Sequence, residues 1–179
     1  MDRRIQYSGA LRSLVVAAVV ASALAWAAVP MSAASDPAEV RAILNGKPIA
    51  LADVSRYHCH DRVYPLIRCF RASADRDADE VTAATLQAAP VLSVAVAPYV
   101  RWYADINFGG PSFVAYVTYA NLGDIGWNDA ISSFTTYSGG HPKWWQDISF
   151  GGTGWDWGAA SVSYVGDAAN DKFSSVERL

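Results

Sequence analysis

The chain has 179 residues, of which 52% are hydrophobic and 17% are charged, and its formal net charge is −3 at pH 7. This length allows one or two small domains, and so high an apolar fraction excludes a disordered protein. An acidic chain without basic runs is a poor binder of nucleic acid or of anionic membranes, so cations are the better-matched partners.

The first 34 residues have the pattern of a secretory signal peptide. Three arginines precede the apolar run LVVAAVVASALAWAA at residues 14–28, and small residues follow up to Ala34, near which cleavage is expected. An uncleaved membrane anchor is the alternative, but this run is short of the roughly 20 residues that a span needs. We therefore expect a secreted protein with no membrane attachment after cleavage. Loss of residues 1–34 leaves 11 basic and 16 acidic residues, a net charge of −5.

Residues 35–97 form a second region, which holds the only two cysteines of the chain. In an exported protein Cys59 and Cys69 are expected to form a disulfide. His58 and His60 flank Cys59 and would share one face of a strand, which suggests a pair of transition-metal ligands. The favoured interpretation is a polar strand end beside a disulfide, because the sequence supplies no evident third ligand.

The end of this region predicts one helix. The segment DRDADEVTAATLQAA at 75–89 has an acidic first turn, which suits the helix dipole, and Pro90 ends it. The apolar segment VLSVAVA at 91–97 is compatible with an extra strand and with a linker, and the sequence does not decide between them.

A repeat with an offset of 42 residues organises residues 98–179. The segment WYADINFGGPS at 102–112 recurs as WWQDISFGGTG at 144–154, and NDAISS at 128–133 recurs as NDKFSS at 170–175. Each copy, about 98–139 and 140–179, reads as a strand, a Gly-Gly turn, a second strand and a polar loop that leads into another strand.

The stretches between these landmarks are rich in Val, Tyr, Phe and Thr, with partial alternation that predicts strands. They are SFVAYVTY at 112–119, AISSFTTY at 130–137 and GAASVSYV at 158–165. Frequent Gly, Asn, Asp and Pro residues argue against helices here. Because neither copy could bury a face alone, the two are expected to pack as facing sheets.

These motifs resemble the βγ-crystallin superfamily. In its Greek-key signature an aromatic residue is followed, after six residues, by Gly, any residue and Ser. The first copy matches in full with Tyr103, Gly110 and Ser112. The second copy matches with Trp145 and Gly152, but Gly154 stands where Ser is expected. The resemblance implies a mainly β protein: a βγ-crystallin-like sandwich of two Greek-key repeats, preceded by a small disulfide-containing region with one helix.

Microbial members of the superfamily also carry a calcium signature, Asn/Asp-Asn/Asp-x-x-Ser/Thr-Ser, which both copies match. The resemblance implies two Ca²⁺ ions, and calcium favours hard oxygen ligands of this kind. The implied ligands are the side-chain oxygens of Asp129 and Asp171, the carbonyls of Ala130 and Lys172, the hydroxyls of Ser132 and Ser174, and carbonyls from the first hairpin of the opposite repeat around Ala104 and Gln146. Asn128 and Asn170 would brace the loops. Taken alone, each string reads as an Asx turn that begins a strand.

No nucleophile elbow or zinc-protease motif appears, so we expect a non-enzymatic, monomeric binding or structural module. A second hypothesis is a secreted inhibitor or toxin, because NLGDIGWNDAISS at 121–133 is similar to a segment of secreted bacterial metalloproteinase inhibitors of the same fold. An inhibitor needs an exposed rigid loop, and YSGGHPKW at 137–144 is the candidate.

Tryptophan is abundant in the repeats, and most of these residues are expected to fill the core of the sandwich. Trp155 and Trp157 would share one strand face. An exposed aromatic patch for a glycan or a protein partner is the alternative there.

Overall fold

Two β-sheets carry the fold in a computed structural model that describes residues 39–87 and 97–179, with the backbone alone for residues 83–87. All of these residues belong to one compact unit, Asp36–Leu179. The predicted signal peptide lies outside the described residues, as does most of the segment 91–97. No helix in the described part of the chain is both long enough and apolar enough to cross a membrane.

The larger sheet has seven strands in the order β2-β1-β4-β3-β6-β5-β7. Their bounds are β1 Arg41–Leu44, β2 Lys47–Ile49, β3 His58–Val63, β4 Leu66–Phe70, β5 Val100–Tyr103, β6 Ser112–Ala115 and β7 Ser133–Thr136. The smaller sheet has the order β10-β8-β9. Its strands are β8 Pro142–Asp147, β9 Gly151–Asp156 and β10 Ser175–Arg178. The prediction of a mainly β protein with two sheets is confirmed.

Two isolated β-bridges connect the sheets, because each repeat contributes one segment that pairs with a strand of the other, as the Greek-key prediction requires. Tyr119 of the first repeat pairs with Val176 of β10, and Val162 of the second repeat pairs with Phe134 of β7. These two contacts replace the longer strands predicted at the end of 112–119 and within 158–165. The second stretch is rich in Gly, Ala and Ser, which hold strands poorly, so a single bridge is all that forms there.

Helical structure is limited to one α-helix and four 3₁₀ helices among the described residues. Helix α1 is Ser73–Gln87, starting two residues before the predicted segment 75–89, with Asp75 in its acidic first turn. The 3₁₀ helices are η1 Leu51–Arg56, η2 Ile106–Phe108, η3 Leu122–Ile125 and η4 Ile148–Phe150.

The N-terminal region, residues 39–87, joins the first repeat directly. Strand β3 pairs in parallel with β6, with His58 opposite Ser112. Helix α1 contacts β3 and β4, and its fully buried Arg76 donates to the Ser112 hydroxyl at 2.6 Å. The sequence did not predict this pairing, which extends the crystallin-like sheet by four strands.

The predicted disulfide is present and links β3 to β4. Cys59 and Cys69 face each other in the antiparallel register of these strands. Both are buried in the hydrophobic core. The bridge therefore fixes the hairpin that carries the N-terminal region onto the repeats.

Three tryptophans form the centre of the core, as predicted. Trp102, Trp127 and Trp144 are completely buried, and Trp102 packs edge-on against the other two at ring-centroid distances of 6.0 and 5.8 Å. Trp155 and Trp157 are partly buried and pack against the core. Their position does not support the alternative of an exposed aromatic patch.

Candidate metal centre

Two loops with the same local geometry carry the Asn-Asp-x-x-Ser-Ser strings. Asp129 and Asp171 adopt left-handed backbone conformations, with φ of 53° and 52°. The side-chain amides of Asn128 and Asn170 each donate 2.7 Å hydrogen bonds to the Oδ2 atoms of these aspartates. The asparagines therefore orient the carboxylates, in line with the predicted bracing role.

The second serine of each string holds the neighbouring hairpin. The Ser133 hydroxyl donates to the Asp105 carbonyl at 2.6 Å and accepts from the Phe108 amide at 3.1 Å. Ser175 repeats the pattern with the Asp147 carbonyl at 2.7 Å and the Phe150 amide at 3.0 Å. Each of these two hydroxyls therefore uses its hydrogen bonds to hold a hairpin in place.

The first serine of each string is different. Ser132 and Ser174 are 6% and 8% exposed, and their hydroxyls form no hydrogen bond within the described residues. The hydroxyl oxygens themselves remain accessible, so each is free to bind water or a ligand.

Backbone hydrogen bonds hold the two loops side by side. The Asp129 amide donates to the Phe173 carbonyl at 3.1 Å, and the Asp171 amide donates to the Ile131 carbonyl at 3.4 Å. The serine amides bind the first strand of their own repeat, Ser132 to the Tyr103 carbonyl at 3.1 Å and Ser174 to the Trp145 carbonyl at 2.9 Å. The arrangement has the same approximate twofold symmetry as the sequence repeat.

A polar cleft of about 370 Å³ opens between the loops. Its lining is Asp129, Gln146, Asp147, Asp171, Lys172 and Ser174. Gln146, Lys172 and Ser174 come from the second repeat, and Asp129 comes from the first. The Lys172 ammonium is held by the Ala168 carbonyl at 3.1 Å. Asp129, Asp147 and Asp171 thus line the same cleft, although they do not form a compact metal-binding group.

The other predicted ligands, Ala104, Ala130 and Ser132, are the first-repeat equivalents of Gln146, Lys172 and Ser174. Ala104 follows Tyr103, whose carbonyl binds the Ser132 amide, and Ala130 lies between Asp129 and Ile131, which pair with the opposite loop. Of the eight predicted ligand residues, Asp129, Gln146, Asp171, Lys172 and Ser174 line one cleft, whereas Ala104, Ala130 and Ser132 are not part of its lining. Each hairpin strand lies beside the serine of its own repeat, which differs from the predicted hairpin of the opposite repeat. In the cleft, Asp129 is the residue that comes from the other repeat.

The side chains that line the cleft offer carboxylate, amide and hydroxyl oxygens. No cluster of three or more His, Cys, Asp and Glu side chains suited to a metal occurs in the described part of the chain. Calcium takes six to eight oxygen ligands, from carboxylates, carbonyls and water. The carboxylates in the cleft, the partnerless serine hydroxyls and the buried, partnerless Oδ1 of Asn170 all suit a hard cation.

Asp147 is a cleft residue that the sequence interpretation missed. Its carboxylate lies over Gly152, where an added Cβ would be 2.5 Å from Asp147 Oδ2. Asp105 and Gly110 repeat this contact, also at 2.5 Å. The recurrence of Asp in WYADI and WWQDI was a signal that could have identified both residues.

The histidines of the chain have structural partners. His60 is fully buried, and its Nε2 bonds Asp79 at 2.9 Å. His58 Nδ1 bonds the Ser112 hydroxyl at 3.0 Å. Burial is the main cause that lowers the pKa of both histidines. The favoured interpretation of a polar strand end beside a disulfide agrees with these contacts.

Comparison with solved structures identifies the fold family. A βγ-crystallin from an archaeon is 34% identical to the chain over 46% of this chain and 99% of that one, with a TM-score of 0.42. The chain belongs to the βγ-crystallin superfamily. A βγ-crystallin domain from Clostridium beijerinckii is 32% identical over 45% and 95%, with a TM-score of 0.41. One from Flavobacterium johnsoniae is 29% identical over 45% and 93%, with a TM-score of 0.42.

The assignment to this superfamily rests on the sequence identity over nearly the whole length of these relatives, together with the signature residues. No family model and no curated protein matches the chain. Each of these three structures covers less than half of the chain. The βγ-crystallin relatives therefore account for a crystallin-like part and not for the whole chain.

Proposed function

We propose that this βγ-crystallin-like protein binds two calcium ions between its Asn-Asp-x-x-Ser-Ser loops and is stabilised by them. The observation that supports the proposal is that the accessible hydroxyls of Ser132 and Ser174, in two matching loops, have no hydrogen-bond partner in the described residues. Each lies in a loop whose aspartate carboxylate is oriented by an asparagine. The same arrangement in both repeats supports two sites.

The electrostatics of the cleft favour a divalent cation. Asp129, Asp147 and Asp171 line one cleft, and Lys172 is its one cationic side chain. These exposed carboxylates give the cleft an excess of negative charge, which attracts a cation. When bound, calcium would bridge the two loops. The loops would supply carboxylate, carbonyl and hydroxyl oxygens at positions already fixed by the backbone bonds between them.

Calorimetric titration of the purified mature chain tests the proposal. We expect two equivalents of Ca²⁺ to bind, with release of bound ions by a chelator. Absence of binding at millimolar calcium would refute the proposal. Magnesium serves as the control ion, because its demand for regular octahedral geometry suits a carbonyl- and hydroxyl-rich cleft less well.

The proposal includes export and a non-enzymatic role. Export rests on the signal-peptide pattern of residues 1–34, and N-terminal sequencing of protein from the culture medium should find a start near residue 34 or 35. The non-enzymatic role rests on the structural partners of the histidines and on the absence of a catalytic motif in the sequence.

The inhibitor or toxin alternative lacks a comparable observation. The candidate loop 137–144 closes in a tight turn, in which the Gly140 amide donates to the Tyr137 carbonyl at 2.8 Å. Only Ser138 and Gly139 in it are fully exposed. Residues 121–133 form η3 and the first Asn-Asp-x-x-Ser-Ser loop, and their apolar side chains Leu122, Ile125, Trp127 and Ile131 are buried. Full activity of a thermolysin-like protease in the presence of equimolar protein would eliminate this alternative.

A further inference from the structure

The two Asn-Asp-x-x-Ser-Ser loops, at residues 128–133 and 170–175, are called the metal loops below. The N-terminal region contacts the turn that leads into the first of them. Helix η1 packs against η3. The Ala52 carbonyl oxygen lies where a side chain at Gly126 would begin, because an added Cβ would be 2.7 Å from it. Gly126 also has φ of +71°, and it ends η3 two residues before Asn128. Only glycine tolerates both the close approach and the left-handed backbone at low cost.

The repeat itself does not require this glycine. Ala168 stands at the equivalent position 42 residues later, and its φ is not positive. The special backbone at Gly126 therefore belongs to the first repeat alone, the repeat against which η1 packs.

A second contact from the N-terminal region fixes the start of the same segment. Asp61 on β3 is completely buried. Its Oδ1 accepts a 2.7 Å hydrogen bond from the Tyr116 amide, and its Oδ2 accepts one of 2.7 Å from the Tyr119 hydroxyl. Tyr119 then pairs with Val176 of β10. The segment from Tyr116 to Gly126 is thus held near both ends by residues 52 and 61.

The other side of η3 is bonded to the metal loops. The Leu122 amide donates to the Ser174 carbonyl at 2.8 Å, and the Trp127 amide donates to the Leu122 carbonyl at 2.9 Å. Ser174 belongs to the second loop, and Trp127 directly precedes the first. Displacement of η3 would therefore move groups in both loops.

We propose that η3 couples the docking of the N-terminal region to calcium binding, so that each favours the other. This inference rests on the proposed calcium-binding function. Coupling between two binding events is reciprocal. Calcium should therefore suppress opening of η1 and β3, and loosening of the η1 contact should weaken calcium binding by the same factor. Gly126 and Asp61 act as positioning residues, since neither is a proposed ligand.

Hydrogen exchange of the full mature chain is the first test. Amides of residues 51–63 should exchange at least about 5-fold more slowly in millimolar calcium than in EDTA. A factor of about 5 is the lower end of the usual coupling factors. If calorimetry finds two bound ions but this protection does not change, the coupling is wrong and the calcium proposal stands. If no ion binds, both fail.

The second test compares two glycine substitutions. Gly126→Ala introduces a clash with the Ala52 carbonyl, whereas Gly139→Ala meets nothing within 4 Å. Both positions have a left-handed backbone, with φ of 71° and 75°, so backbone strain is matched. Gly126→Ala should lower calcium affinity about 5-fold or more, and Gly139→Ala should leave it unchanged. Equal affinities in the two variants would overturn the coupling. If Gly126→Ala does not fold, the exchange experiment on the unmodified chain decides.

Discussion

At the scale of single residues, neighbouring serines with the same chemistry have different environments. Ser133 and Ser175 each bind two backbone groups of a hairpin. Ser132 and Ser174 have no hydroxyl partner in the described structure. A structural serine and a candidate ligand can therefore be separated by their hydrogen bonds, although the sequence shows only the pair Ser-Ser.

This difference predicts the effect of replacing the first serines by arginine. Ser132→Arg or Ser174→Arg would place a cation where a hydroxyl ligand is proposed, so each should remove about one equivalent of bound calcium. The double variant should bind none. Calorimetric stoichiometry is the measurement. Ser138→Arg, in the exposed turn, adds the same charge away from the loops and should retain two ions. Unchanged stoichiometry in both loop variants would show that the strings are only turns.

Asp61 carries a pH-dependent contribution to stability. Burial raises its pKa to about 7, from an ordinary 3.8, although hydrogen bonds from Tyr119 and Tyr116 lower it. Between these two values the folded state keeps a proton that the unfolded state has released. The free energy of unfolding should therefore fall as pH rises from about 4 to 7, by up to roughly 1.4 kcal/mol per pH unit. Burial lowers the pKa of His60 below its ordinary 6.5, so in this lower range the unfolded state binds a proton that the folded state does not. This histidine therefore makes the free energy of unfolding rise with pH there.

Asp61→Asn isolates this contribution because it leaves His60 in place. An amide can still accept from the Tyr116 amide and can donate to the Tyr119 hydroxyl. Urea unfolding at several pH values should show that the decline between pH 4 and 7 is smaller in the variant than in the native chain. Parallel curves for the two proteins would contradict the assignment to Asp61.

At the scale of elements, the folded hairpins explain why a Gly-Gly pair recurs. In β8-η4-β9, Gly152 has φ of +71° and lies under the Asp147 carboxylate. The aspartate thereby turns toward the cleft, and its carbonyl accepts from the Ser175 hydroxyl. The hairpin positions a cleft carboxylate as well as forming a turn.

Gly152→Ala should therefore cost more than backbone strain alone. Its Cβ would be 2.5 Å from Asp147 Oδ2, whereas a Cβ at Gly158, with φ of +65°, meets nothing within 4 Å. We expect Gly158→Ala to lose about 1 to 2 kcal/mol from left-handed strain. Gly152→Ala should lose roughly 1 to 3 kcal/mol more from crowding. Urea unfolding of both variants measures the difference, and equal losses would show that the carboxylate moves aside freely.

Elements with a local signal could be predicted, and elements built from distant pairing could not. The repeat, the glycine turns, the helix and the disulfide each have a signature within a few residues or a fixed period. The parallel pairing of β3 with β6 joins His58 to Ser112, and nothing near either residue indicates the other. The burial of Asp61 follows from that pairing, so it was also missed. Asp147 was missed because the family motif, which directed attention to the loops, does not include it.

At the scale of the whole molecule, the chain is more than a crystallin-like sandwich. Strands β1 to β4 extend one sheet of the repeats to seven strands, and η1 reaches the turn beside the metal loops. A ligand that holds the two loops together should therefore stabilise the described unit as a whole. The two repeats meet at these loops, and the N-terminal region is attached to the same turn.

Calcium should consequently raise the thermal stability of the mature protein. An ion that binds only the folded state stabilises by about 2.7 kcal/mol at 100 times its dissociation constant, and 1 kcal/mol corresponds to roughly 2 to 8 °C in Tm for domains of this size range. Two sites should thus shift Tm by about 10 °C or more in millimolar calcium. A calorimetric scan should show the shift, and EDTA should reverse it. The Ser132→Arg and Ser174→Arg double variant is the control and should lose the response. A Tm that is the same with calcium and with EDTA would show that the loops hold together without an ion.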